Sequence, residues 1–97
     1  MRISTITLYF LLAHAILFLI FLIINFFLMK YKRTCWNGIQ EDENGSILDS
    51  FYYTTATHTS IGFGDITPKN RIIRMITSLH MIMVFILVIL NIDVVKN

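Results

Sequence analysis

Residues 3–29 contain no Asp, Glu, Lys or Arg, and residues 75–92 contain none either. As helices rising ~1.5 Å per residue, these runs reach roughly 40 Å and roughly 27 Å, against a hydrocarbon layer of about 30 Å. In a chain of 97 residues that is 56% hydrophobic and 14% charged, two such runs leave too little polar surface to enclose a soluble core. The chain therefore reads as one small all-α, multi-pass membrane domain with the lipid bilayer as its solvent. A cleaved signal peptide is the competing reading of the first run, with Arg2 as its basic start and Ala13-His14-Ala15 as a small-x-small cleavage site. The run continues for 14 apolar-dominated residues beyond Ala15, which favours a retained span.

Between the spans the composition changes. Lys30, Lys32 and Arg33 are followed by Glu41, Asp42, Glu43, Asn44 and Gly45, so residues 30–46 read as a solvated loop, with Tyr31 and Trp36 at the interface. Asn44-Gly45-Ser46 is both a turn signal and a glycosylation sequon, and the turn is the simpler reading. Ser46-Ile47-Leu48-Asp49 fits a capping box and predicts a helix over residues 47–58. Such a helix is only ~18 Å long, too short to cross the bilayer but able to enter it and return. Thr67-Pro68 marks a break, Lys69, Arg71 and Arg74 mark an interface, and the second span is predicted over residues 72–92.

The segment that carries chemistry is residues 59–65, Thr59-Ser60-Ile61-Gly62-Phe63-Gly64-Asp65. Glycines at alternate positions hold backbone conformations that a side chain forbids, so successive carbonyls can point one way and replace the water around a bare cation. Irregular backbone cannot face lipid, because each unpaired carbonyl there costs several kcal/mol, but it can line a watery path. One copy cannot enclose a path, so several copies must surround an axis. The C-terminal end of the short helix, aimed at that axis, adds a partial negative charge that favours a cation.

Simpler readings exist for each feature. Gly62 and Gly64 could belong to a plain turn; Ser60, His58 and Asp65 invite comparison with a nucleophile triad, but triads assemble in space and not along the chain. His14 and His80 could bind a metal together, although neutral helix-packing histidines are the simpler account. Met75, Met81, Met83 and Phe85 read as packing or lipid-facing residues. A net charge of +2 with scattered basic residues implies no nucleic-acid partner, and the single Cys35 excludes an internal disulfide framework, leaving a free thiol or a link between subunits. No cofactor or small-molecule substrate is expected.

Ser60-Ile61-Gly62-Phe63-Gly64-Asp65, with Thr57-His58 before it and Ile66, Pro68 and Lys69 after it, resembles the filter of the potassium-channel pore family, whose members carry four copies of a Thr-Val-Gly-Tyr-Gly loop. With His14 and His80 in the spans, the chain resembles more closely, within that family, the miniature potassium channels of large algal viruses. The resemblance implies two transmembrane helices around a re-entrant pore helix and filter loop, assembled with three identical subunits as a four-fold homotetramer. It implies that K⁺ is coordinated by the carbonyls of Ser60, Ile61, Gly62 and Phe63 and by the Ser60 hydroxyl, with Gly64 opening the outer mouth. His58, Thr59, Asp65, Tyr52 and Tyr53 would support the filter. Ser60 replaces the family's usual Thr and loses the β-branch that stiffens χ1, and Phe63 replaces the commoner Tyr and loses a tethering hydroxyl.

The expected function is passive, potassium-selective conduction in a host membrane or a virion's internal membrane, with no enzyme activity. A non-conducting membrane protein that modulates a partner channel, or a poorly selective cation pore, are the alternatives. Neither span carries a row of arginines, so a leak-like channel without a dedicated voltage sensor is expected. Phe85, Val88 and Ile92 share a helical face and would line the inner cavity, with Asn91, Ile92 and Asp93 at its mouth. Lys and Arg cluster between the spans, which by the positive-inside rule would place the loop in the cytoplasm; the resemblance implies the opposite, with both termini cytoplasmic.

Overall fold

The computed structural model describes residues 4–39, 43–62 and 64–96. It is mostly helical, and its extents are 47 × 25 × 19 Å. The first helix, α1, covers Thr5–Tyr31 and starts under the Ser4 hydroxyl, which accepts the Thr7 N–H at 3.1 Å. It runs past the expected end at residue 29, because a charge ends an apolar run without ending a helix. The ladder stops only at Lys32, whose N–H still reaches the Leu28 carbonyl at 2.9 Å. The third helix, α3, covers Arg71–Lys96 and likewise overruns the expected 72–92; Asn70 caps it by accepting the Ile72 N–H at 2.7 Å. Both helices are long and apolar enough to cross a membrane.

Between them, α2 covers Glu43–His58. It begins four residues before the expected 47, so residues 43–46 belong to a helix and not to the loop, and Asn44-Gly45 is not a turn. Ser46 is accordingly inside the first turn and not at the cap. At 16 residues, α2 is about 24 Å long, shorter than a bilayer is thick.

Two short strands clasp the loops together. β1 (Trp36–Asn37) pairs antiparallel with β2 (Thr67–Pro68), with Trp36 opposite Pro68 and Asn37 opposite Thr67. The Lys69 N–H extends the clasp to the Cys35 carbonyl at 2.7 Å. Thr67-Pro68 is therefore a strand as well as a break; two residues are too few to show a strand's alternation in sequence, and proline is tolerated because such a pair is all edge.

The three helices meet along a narrow seam. The buried residues of α1 are Leu17, Phe21, Asn25 and Met29, spaced four apart and so stacked on one face. Met29 joins Trp36, Tyr53, Ile66 and Ile73 in a cluster beneath the clasp, and Leu17 and Phe21 join Val84 of α3 in a second cluster. Most of the remaining surface of α1 and α3 is exposed and apolar, as lipid or further copies of the chain require.

Candidate functional site

The last turn of α2 and the loop that follows it form one unit. The N–H of Thr59 bonds to the Thr55 carbonyl at 3.0 Å, that of Ser60 to Thr57 at 3.1 Å, and those of Ile61 and Gly62 to Ala56 at 3.0 and 3.2 Å. The Ile61–Ala56 and Ser60–Thr57 pair is a Schellman closure, which places Ser60 at the position where glycine is usual, with φ +62°. Gly62 and Gly64 also have positive φ, +54° and +85°. Left-handed residues thus recur at 60, 62 and 64.

This arrangement separates donors from acceptors. Four consecutive N–H groups are turned back onto the helix end, and among the described residues no backbone N–H is paired with the carbonyls of Ser60, Ile61 or Gly62. Ser60, Ile61, Gly62 and Gly64 are exposed on the single chain. Free carbonyls on exposed backbone suit a cation or a watery path and are unsuited to lipid. Phe63 lies outside the described residues.

Support comes from α2 and from the loop after α1. The Tyr52 hydroxyl donates to the Asp65 carboxylate, 3.0 Å from Oδ1 and 3.1 Å from Oδ2. Desolvation, and then the hydrogen bond and charge of Asp65, raise the Tyr52 phenol above its ordinary 10.0. Tyr53 is buried, shares a 2.7 Å hydrogen bond with the Thr77 hydroxyl of α3 and meets Trp36 edge to face at 5.0 Å. Burial raises its phenol too, against the hydroxyls of Thr77 and Thr57, which pull it back. Both tyrosines, with Gly62 and Gly64, line a crevice of about 30 Å³ behind the loop. The Thr59 hydroxyl donates to the Thr55 carbonyl at 2.8 Å, bracing the helix end.

Three features were not visible in the sequence. Gly38, with φ +84°, passes so close to the Asp65 carbonyl that an added Cβ would collide with that oxygen. Asn25 donates to the Thr54 hydroxyl at 2.9 Å with both residues buried, tying α1 to α2. His58 stands between His14 and His80, which do not form the pair considered from sequence: its Nε2 is 3.2 Å from His14 Nδ1 and its Nδ1 is 3.0 Å from His80 Nε2. Among the described residues no group of three or more His, Cys, Asp or Glu side chains is placed to hold a metal ion. The only available signal was an unusual one, three histidines and an asparagine at apolar depth.

On α3, Phe85, Val88, Ile92 and Asp93 are exposed on the single chain, and Asn91 is half-buried with its Oδ1 unpaired among the described residues.

Comparison with known families decides what kind of protein this geometry belongs to: the ion-channel family matches residues 4–96. The chain belongs to the ion-channel family. This ion channel is also 32% identical over 72 residues to the potassium channel protein kcv of Paramecium bursaria Chlorella virus 1, an overlap that covers 68% of this chain and 77% of that one. No solved structure matches it. Membership makes the protein a membrane channel rather than an enzyme, and ion transport its activity.

Proposed function

We propose that four copies of this chain assemble around an axis into a potassium-selective pore that conducts passively and without a dedicated voltage sensor. The observation that carries the reading is the separation of donors from acceptors after α2: four N–H groups are tied back to Thr55, Ala56 and Thr57, while Ser60, Ile61, Gly62 and Gly64 are exposed, with left-handed residues at 60, 62 and 64. Similarity to a viral potassium channel supports K⁺ as the conducted ion.

In this reading the carbonyls of Ser60, Ile61, Gly62 and Phe63, with the Ser60 hydroxyl, replace the hydration shell of K⁺, and Gly64 opens the mouth. Each single copy contributes one quarter of a coordination cage, which is why the segment is exposed in the isolated chain. Tyr52 holds Asp65 beside the mouth, Thr59 braces the inner end, and Tyr53 anchors α2 to α3. Phe85, Val88, Asn91, Ile92 and Asp93 line the cavity and its inner mouth. The short helix enters the bilayer and returns, its carbonyl end directed at the path.

The purified chain, reconstituted in liposomes, should pass K⁺ in strong preference to Na⁺, with flux that varies little with voltage. Equal K⁺ and Na⁺ flux would make it a non-selective cation pore. No flux would make it a non-conducting subunit.

A further inference from the structure

The three histidines come from three different helices, and together they form a continuous hydrogen-bonded row. His14 is on α1, His58 is the last residue of α2, and His80 is on α3. The contacts bridge 44 residues between His14 and His58 and 22 residues between His58 and His80. His58 has both ring nitrogens engaged, and it precedes by two residues the Ser60 at which the loop turns left-handed. His80 is 1% exposed and stacked flat on Phe21 of α1, with centroids 4.2 Å apart and planes at 3°. Phe18 closes on the His58 ring edge to face at 5.7 Å.

A neutral imidazole has one donor and one acceptor, so such a row has a direction. Its inner end is defined: His80 Nδ1 is buried and has no hydrogen-bond partner among the described residues. As with backbone groups, a bare buried N–H is the rarer fault. The row therefore runs from His80 Nε2–H to His58 Nδ1, and from His58 Nε2–H to His14 Nδ1, leaving a lone pair and not a proton stranded on His80.

We infer that His14 and His80 are positioning residues for the ion path, acting through His58 to hold the final turn of α2, and with it the inner end of the conducting loop, in register with both spanning helices. The inference rests on the ion-path reading above. A shift of either span is carried through these contacts to the residue next to Thr59. His58 is the one member that needs both nitrogens, and it is the member nearest the loop.

The two outer histidines use different nitrogens, and this provides the test. An asparagine amide reaches about where Nδ1 lies and a glutamine amide about where Nε2 lies. At position 14, which uses Nδ1, asparagine should substitute; at position 80, which uses Nε2, glutamine should substitute. Packing alone predicts that the larger glutamine is the better replacement at both. His14→Asn, His14→Gln, His80→Asn and His80→Gln are compared in the full chain, by single-channel recording in planar bilayers with K⁺ on both sides. Loss of one buried hydrogen bond corresponds to about a tenfold shift in population, so open probability should stay within about threefold of the parent in H14N and H80Q and fall about tenfold in H14Q and H80N. Any other ranking, including glutamine superior at both positions or no difference within each pair, overturns the inference. If the parent chain itself carries no K⁺ current, the ion-path reading fails instead.

Discussion

At the scale of single residues, the three left-handed glycines differ in what surrounds them. Among the described residues, a Cβ built on Gly62 or Gly64 meets nothing within 4 Å, so the cost of alanine there is that of a positive φ, about 1–2 kcal/mol. Gly38 adds a collision with the Asp65 carbonyl, a backbone atom that cannot swing away. Gly62→Ala should therefore leave helical content and assembly near normal while ending selective conduction, because the carbonyl beyond it turns. Gly38→Ala should cost more, on the order of 2–4 kcal/mol, and lower both the yield of assembled protein and its conduction. Circular dichroism and size-exclusion in detergent, beside K⁺ flux, separate the two; equal loss of assembly would mean that the clasp does not depend on that close approach. The sequence pointed to Gly62 and Gly64 because they sit in a string of known character, but Gly38 has no such neighbours, and its demand for bare backbone arises only where β1 passes the loop.

Among the elements, α1 and α2 are joined by a fully buried polar pair besides the part-buried His14–His58 contact. Asn25 and Thr54 are 2% and 0% exposed and their side chains are 2.9 Å apart. Interhelical hydrogen bonds inside membrane proteins average about 0.6 kcal/mol, whereas stranding a buried hydroxyl costs about 1–3 kcal/mol. Asn25→Leu alone should then destabilise the chain by about 1 kcal/mol or more, and adding Thr54→Val should recover part of that loss, since the stranded group is gone. Denaturation midpoints in micelles for the two single variants and the double variant give the coupling directly; additive losses would show that the pair contributes nothing beyond packing. Element boundaries follow the same logic of local against distant causes. α2 starts at Glu43 and not at 47 because the turn residues Asn44 and Gly45 yielded to a helix, which no local signal announced.

At the scale of the whole molecule, a 97-residue chain with a seam of buried residues and broad apolar faces cannot enclose a path alone. Ile72, Met75, Leu79 and Ile82 of α3 border an apolar groove of about 690 Å³ that the single chain leaves open. In the proposed four-copy assembly this face would meet a neighbouring chain, and the exposed face of α1 around Ile16 would meet lipid. Leu79→Trp should reduce the cross-linked four-chain species several-fold, on the scale of an overpacking cost of about 1–3 kcal/mol, and Ile16→Trp should leave it unchanged. Equal tolerance at both positions would remove this face of α3 from the subunit contact.

Much of this protein is determined within short stretches of its sequence. Two charge-free runs must be helices in lipid, because only a helix satisfies every backbone group within its own segment, and this alone yields the helical class, the membrane and the number of spans. Within the string from Ser60 to Asp65, Gly62 and Gly64 likewise admit left-handed backbone locally, whereas Ser60 is turned by the closure of α2. What the tertiary structure decided lies at separations of 22 to 44 residues: Asn25 against Thr54, His58 between His14 and His80, Tyr53 against Thr77. Each of these depends on which faces of two long apolar helices meet each other and the more polar α2. Leu, Ile and Phe surround α1 on all sides, so hydrophobicity in a lipid-dissolved helix does not mark the inward face; the few polar side chains do, and only once the helices have packed can it be seen which of them are partners.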